Sequence, residues 1–358
     1  MNIFSLEIML RKFAFRTKVS GLWKGSMVIK MKIFIYAMRE FDELEIAEKL
    51  KKEYGIDFGW SAEYPTLENA HLAQGCDAVS TTPCEMGAGL LERFCGLGVK
   101  YITTRSIGFD HIDLKKAKEL NMRVSHTKYA PDGVSNYTVM LILMCLRNMS
   151  YILKCAEVQD YTLRKKIGKD LSACTVGVIG TGQIGASVIR NLSGFGCRIL
   201  AYDIYEKEGL PCEYAALEEI YEKSDVITIH TPATPESYHM INAESISRMK
   251  KGVILVNCAR GSMIETEALI HGLETGQIGG AALDVLEKED GLYYYNRMGD
   301  VIENRSMAIL RSFPNVILSP HTAFYTDTDV ENMLRYNFES LYLFENGKEN
   351  PLEVKLPG

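Results

Sequence analysis

Three polar residues stand just past short apolar runs that read as strands of one parallel sheet, the edge at which open α/β sheets bind their ligands. Arg260 follows the run Val253-Ile254-Leu255-Val256, Glu289 lies past Gly280-Ala281-Ala282-Leu283, and His321 follows Val316-Ile317-Leu318. A guanidinium so placed can clamp a carboxylate through two parallel hydrogen bonds, which a lysine ammonium could not imitate. The competing reading is a surface arginine in a turn, and the strand-end position with flanking Gly261 disfavours it. His321 is one of seven histidines, any of which taken alone would more often be structural. His111, in a polar turn, and His271, on a helix face, are read that way. Glu289 gains interest only from the company of the other two.

A second constellation precedes these. Gly180-Thr181-Gly182-Gln183-Ile184-Gly185 follows the apolar run 175–179 directly and opens a helix at 186–192. The first glycine permits a tight turn, the second lets backbone N–H groups approach a pyrophosphate, and the third lets helix and strand pack closely. Asp203 lies 18 residues beyond Gly185, at the end of the next strand, where a carboxylate accepts hydrogen bonds from ribose hydroxyls and repels a 2'-phosphate. Strand, loop, helix and acid together point to NAD rather than NADP. They disfavour an ordinary glycine-rich turn with Asp203 as a helix cap.

These residues need a framework to position them. From Met31 onward short apolar strands alternate with amphipathic helices, the pattern of a doubly wound α/β protein. A first unit reads as strands at 32–36, 76–80, 99–104 and 122–125 with a helix at 41–54. Pro131-Asp132-Gly133 interrupts it, and 134–153 follows as one long helix, apolar nearly all round, which must be buried between layers or against a second copy of the chain. After a polar connection at 165–170 a second series has strands at 175–179, 198–202, 226–229, 253–256, 280–283 and 316–318. The terminal amphipathic helix at 329–344 has no strand of its own and is expected to pack back on the first unit. The expected organisation is a discontinuous substrate-binding domain, 31–128 with 326–358, interrupted by an NAD-binding domain at 129–325.

Composition narrows the function classes. The 358 residues correspond to about two domains, with 47% hydrophobic and 24% charged residues, as in ordinary globular proteins. A net charge of −6 offers nothing global to nucleic acid or an anionic membrane, so a small-molecule partner is expected. The longest apolar run, residues 139–146, is far below the ~18 residues of a membrane span. Nine cysteines without a CxxC pair indicate neither a zinc cluster nor a disulfide framework, and no metal is expected; reduced thiols suit a cytoplasmic protein. Residues 1–30 differ: six basic residues against the single acid Glu7 give +5, leaving −11 on the remainder. They read as a non-structural extension or an upstream start, in preference to a targeting peptide.

The Arg260-Gly261 pair, the run 279–289 and the block Pro314-Asn315-Val316-Ile317-Leu318-Ser319-Pro320-His321-Thr322-Ala323-Phe324-Tyr325, taken with the cofactor loop, resemble the signature blocks of the D-isomer-specific 2-hydroxyacid dehydrogenases. The likeness runs from about Met31 to the C-terminus. Residues 103–108, 129–132 and 322–325 resemble the D-lactate dehydrogenase branch, including its vancomycin-resistance type. That type tends to lack the strand-end acid, so Asp203 favours NAD and ordinary fermentative D-lactate formation. The resemblance implies an α/β fold of two doubly wound parallel-sheet domains, one Rossmann-like and one flavodoxin-like, with the active site in the cleft between them. It makes His321 the general acid, Glu289 the carboxylate that fixes its tautomer and favours the imidazolium, and Arg260 the clamp that also polarises the substrate carbonyl. It lays Gln183 and Ile184 along the pyrophosphate, puts Thr231, Pro232, Ser237, Cys258 and Ala259 beside the cofactor, and gives Asp284 the nicotinamide carboxamide. Arg105, Tyr129 and Tyr325 become substrate contacts, with Ser80 and Thr81 supplying backbone N–H groups.

The expected activity is reduction of pyruvate to D-lactate with NADH. The nearest rival is a D-2-hydroxyisocaproate or aryl-lactate dehydrogenase, since one extra side-chain group is discriminated by only ~1–3 kcal/mol. A formate dehydrogenase is disfavoured because that branch pairs its histidine with an amide. A rival of another class is an NAD-sensing corepressor on the same scaffold, disfavoured by the intact Arg260, Glu289 and His321 set and by the lack of low-complexity segments.

Overall fold

A computed structural model describes residues 31–128, 130–289 and 291–357; the basic leader 1–30 and Tyr129 lie outside the described residues. The first unit contains β1 (Met31–Ile35), α1 (Glu40–Tyr54), β2 (Ile56–Trp60), β3 (Ala78–Thr81), α2 (Ala88–Gly96), β4 (Tyr101–Thr104), α3 (Leu114–Glu119) and β5 (Arg123–Ser125). The strands pair in parallel in the order β2-β1-β3-β4-β5, the flavodoxin-like arrangement. Strand β2 escaped the sequence reading. Ile-Asp-Phe-Gly-Trp shows no clean alternation, and the strand is half-buried at the sheet edge. Gly55, at φ 70°, ends α1 in the left-handed conformation and donates its N–H back to the Lys51 carbonyl, so the chain turns directly into β2.

The second unit runs through α4 (Asp132–Leu146), α5 (Met149–Glu157), β6 (Thr175–Ile179), α6 (Gln183–Ser193), β7 (Arg198–Tyr202), β8 (Glu213–Tyr214), α7 (Leu217–Lys223), β9 (Val226–Ile229), α8 (Ala243–Arg248), β10 (Val253–Asn257), α9 (Thr266–Thr275), β11 (Ile278–Leu283), α10 (Arg305–Ser312) and β12 (Val316–Leu318). Its seven strands are ordered β12-β11-β10-β9-β6-β7-β8, all parallel, which is the Rossmann order with an added edge strand. Two apolar clusters, built around Ile227, Leu255 and Leu283 and around Val176, Val178 and Ala282, fill its two faces.

The expected single helix over 134–153 is two helices, α4 and α5, bent by 66°. Asn148 supplies the break: it adopts φ 52°, which asparagine tolerates, and its side-chain amide donates to the Ile167 carbonyl at 2.7 Å. Val139, Leu141, Ile142 and Leu146 of α4 pack on the nucleotide sheet. No single helix among the described residues is long and apolar enough to cross a membrane.

The last helix, α11 (Asp327–Glu345), opens with the Thr326 hydroxyl accepting the Asp329 N–H. It returns to the first unit, where Leu334, Phe338, Leu341 and Phe344 share a core with Met31, Ile33 and Leu50. Burying a side chain of that size stabilises by about 1.5–3 kcal/mol, so four of them fasten the chain's end to its beginning.

Candidate active site

The register of the second sheet sets β10, β11 and β12 side by side, with Asn257 opposite Leu283 and Leu283 opposite Leu318. The loops carrying Arg260, Glu289 and His321 therefore leave one edge together. Gly261 shows how tightly they fit: a Cβ there would stand 2.1 Å from the Leu286 carbonyl.

His321 is presented from a left-handed backbone, φ 51°, with its N–H donated to the Asp284 carbonyl at 2.8 Å. Nδ1 faces Glu289 Oε1 at 2.6 Å; since the carboxylate only accepts, Nδ1 carries the shared proton and Nε2 is left for other chemistry. Glu289 is itself held, Oε2 accepting the Leu286 N–H at 2.8 Å. The Asp284 carboxylate is fully buried and accepts from the Ser319 hydroxyl (2.6 Å), the Thr322 N–H (2.9 Å) and the Ala323 N–H (2.8 Å), so it clamps the histidine loop.

Arg260 reaches from the nucleotide unit to the first one. Nη1 donates to the Ala259 carbonyl at 2.9 Å and Nη2 to Asp110 at 3.4 Å, a long contact that leaves most of the guanidinium's donors available. The guanidinium lies over Gly108, where a Cβ would be 1.7 Å from Nη2, so any side chain at that position would displace it.

Farther along the same edge of the sheet, past β6, the Gly180–Gly185 loop has the shape that NAD requires. A Cβ at Gly180 (φ 94°) would press on the His230 carbonyl at 2.7 Å and one at Gly185 would strike the Gly180 carbonyl at 1.9 Å, whereas Gly182 faces open space at the start of α6. A pyrophosphate fits at such a helix N-terminus. Asp203 Oδ2 accepts from the Thr181 N–H and hydroxyl, and Oδ1 from the Tyr205 N–H. Burial would raise its pKa, but these hydrogen bonds outweigh burial and hold it below the ordinary value. Gln183 is exposed and Ile184 half-buried at the start of α6, while Thr231 borders Gly180 just past β9, with Pro232 following it. Burial, with Asp284 adding to it, pushes the Cys258 thiol up to about 12, so the residue lines the site as a neutral thiol.

Several expected contacts are corrected. Arg105 is not a cleft residue: its side chain is 0% exposed, with Nε on Glu43 at 3.0 Å, Nη1 on the Ser80 hydroxyl and Nη2 on the carbonyls of Tyr36 and Ala37. Ser80 is internal too, paired to β1 and β4 and donating its hydroxyl to Asn337 at 2.7 Å. Thr81 is buried at the end of β3, opposite Thr104 of β4. Tyr325 turns its hydroxyl to Asp42 on α1, and the Arg39 guanidinium lies 5.5 Å from its ring. Ser237 is buried and donates to the Pro232 carbonyl at 2.8 Å, shaping the loop beside the cofactor site rather than facing it. Two other histidines are half-buried and stay neutral near neutral pH: burial pushes His111 down to about 4 and His230 to about 3.

The sequence reading missed two residues of the site. Asp110, which Arg260 reaches at 3.4 Å, is one acid in the polar turn of His111, and Tyr294, whose hydroxyl donates to the His321 carbonyl at 2.8 Å, lies in a stretch without periodicity.

Fold and nucleotide loop define an NAD-dependent oxidoreductase built of two α/β units. The chain belongs to the D-isomer specific 2-hydroxyacid dehydrogenase family: residues 139–323 match that family's NAD binding domain. It is 41% identical over 324 residues to an aromatic 2-oxoacid reductase of Clostridium sporogenes, covering 88% of this chain and 96% of that one. It is 41% identical over 320 residues to a D-specific alpha-keto acid dehydrogenase of Enterococcus faecium, covering 87% and 96%. The crystal structure of a D-lactate dehydrogenase from Treponema pallidum superimposes with a TM-score of 0.82 at 30% identity, over 91% of this chain and all of that one.

Proposed function

We infer that the protein reduces 2-oxo acids bearing a bulky, preferentially aromatic side chain to D-2-hydroxy acids with NADH. The observation that carries the reaction is the His321–Glu289 pair, 2.6 Å apart, with Arg260 on the same sheet edge. Arg260 would bind the substrate carboxylate bidentately in place of the long Asp110 contact and polarise the carbonyl. NADH supplies the hydride to C2, and His321 Nε2 gives a proton to the carbonyl oxygen, so one 2-oxo acid, one NADH and one proton become one 2-hydroxy acid and NAD. Glu289 stabilises the imidazolium before transfer and keeps the ring aligned after it. In reverse, the neutral imidazole takes the hydroxyl proton.

The side-chain preference is supported by the aromatic surroundings of the imidazole, with Phe324 edge-on at 6.3 Å, and by the 41% identity to an enzyme named for aromatic 2-oxo acids. D-lactate formation in fermentation is the second reading, favoured by the likeness to the Treponema pallidum enzyme. Steady-state kcat/KM for phenylpyruvate, 2-ketoisocaproate and pyruvate with NADH separates them: the first should rank highest, and a lead for pyruvate would reverse the order of the two readings. Replacing Asp203 by Ala should narrow the preference for NADH over NADPH, its ribose role being part of this proposal.

The same reading takes residues 31–128 with 326–358 as the substrate-binding domain and 129–325 as the NAD domain, in a cytoplasmic homodimer. Dimerisation is supported by the apolar residues that α5 and the following connection expose, among them Leu153, Tyr161, Leu163 and Ile167, the last two 88% and 89% exposed.

A further inference from the structure

Between Glu289 and α10 the chain runs Leu292-Tyr293-Tyr294-Tyr295, and its tyrosines divide. Tyr293 is buried in the nucleotide-unit core. Tyr294 and Tyr295 turn outward, 53% and 46% exposed, Tyr294 from a left-handed backbone at φ 68°. Such a conformation is costly for a ring-bearing residue and persists only where its contacts over-determine it. Tyr294 has those contacts. Its hydroxyl donates to the His321 carbonyl at 2.8 Å, and its ring lies 6.2 Å from the imidazole, inclined by 35°. Burial, with Glu289 and Asp284 adding to it, raises the phenol's pKa, so it stays a donor.

Tyr295 crosses to the first unit. Its ring packs on Tyr64 at 5.7 Å, and the Arg297 guanidinium lies 5.0 Å from its centre. Tyr64 is held in turn, because the Asn69 amide donates to its carbonyl at 2.8 Å. A flat ring beside His321, fixed through its neighbour to the opposite unit, offers an exposed aromatic face next to the imidazole. Pyruvate's methyl group has nothing to stack there.

We propose that Tyr294 is a specificity-determining residue: its ring stacks on the planar side chain of an aromatic 2-oxo acid while its hydroxyl positions the His321 loop, and the Tyr295–Tyr64 contact holds it in place. This rests on the function inferred above. The test is kcat/KM for phenylpyruvate and pyruvate, with NADH, in full-length wild type, Tyr294→Ala, Tyr294→Phe and Tyr64→Ala, each checked for NADH binding. Tyr294→Ala should lower the phenylpyruvate-to-pyruvate ratio about three- to tenfold, the scale of one aromatic contact. Tyr294→Phe should keep that ratio and lower kcat for both substrates alike at unchanged KM, as expected of a lost positioning bond. Tyr64→Ala should move the ratio in the direction of Tyr294→Ala, and it decides the matter if Tyr294→Ala does not fold. An unchanged ratio in the alanine variants of an enzyme active on both substrates overturns the assignment of Tyr294 alone. A wild type that reduces neither substrate overturns the functional reading and this one with it.

Discussion

The nucleotide unit holds two histidine–carboxylate pairs of nearly the same shape. His321 and Glu289 are 2.6 Å apart, His239 and Glu287 2.7 Å, both histidines take left-handed backbones at φ 51° and 49°, and all four side chains are about a quarter exposed. They differ in which nitrogen is used. Glu289 takes Nδ1 and leaves the outer Nε2 of His321 for a substrate, whereas Glu287 takes Nε2 of His239 and also accepts from the N–H and hydroxyl of Thr266. The Tyr238 ring, stacked 3.9 Å away, covers the His239 imidazole. By that criterion one pair is open, its Nε2 unspent, and the other closed, although the two histidines are about equally exposed, so a hydrogen-bonded His–Glu pair is not in itself a site. The arginines repeat the contrast: Arg260 keeps donors in hand, while Arg105 has its donors on Glu43, Ser80 and two carbonyls.

Breaking the open pair should have the largest effect. His321→Gln is expected to lower kcat by about 10²–10⁴, the usual contribution of a general acid, with NADH binding retained in a fluorescence titration. Unchanged turnover would remove His321 from the chemistry. Breaking a closed pair should act on folding instead. Arg105→Ala removes one of the two guanidiniums beside buried Glu43 and leaves Arg39 at 3.1 Å, so urea unfolding should show a loss of about 1.5–3 kcal/mol, the value of a hydrogen bond to a charged group. Poor turnover by a stably folded Arg105 variant would reopen its substrate role.

Asp329 lies between the open and closed cases. It is buried where α11 begins beside the start of α4, and its Oδ2 finds no donor. Burial, with Asp132 and Asp327 adding to it, raises its pKa from 3.8 to about 6. A carboxyl raised in this way favours the protonated folded state, so it costs stability progressively as pH climbs from the unfolded value through the folded one. Asp329→Asn should therefore raise Tm at about pH 8, with a gain that shrinks as pH falls through 6 toward 4. A gain independent of pH would mean that packing, not charge, is at issue. The smallest effect is expected from His239→Gln: kcat within about twofold of wild type and a loss near 1 kcal/mol, the net value of one hydrogen bond. A kcat loss approaching that of His321→Gln would break the comparison between the pairs.

Features set by spacing along the chain were legible in the residues. The glycine loop between β6 and α6, Asp203 ending β7, and Arg260 and His321 just past β10 and β12 follow from strand and turn chemistry over a few residues. Glu289 needed its neighbours' company, and β2 was missed because an edge strand carries little alternation. The break between α4 and α5 was missed because apolar periodicity continues through Asn148 and only a contact with Ile167 stabilises the turn.

Most of the strands, the nucleotide loop and the residues that could donate a proton or hold an anion were thus determined by the sequence, because hydrophobic period and turn residues act locally. The tertiary structure alone decided which of those charges remain usable. Arg105 and Arg260 both stand at strand ends, but the partners that close Arg105 come from Glu43, 62 positions away, and from Ser80, itself held by Asn337, 257 positions away. Desolvation and hydrogen-bond saturation are sums over everything that surrounds a group in space, and no local pattern carries that sum.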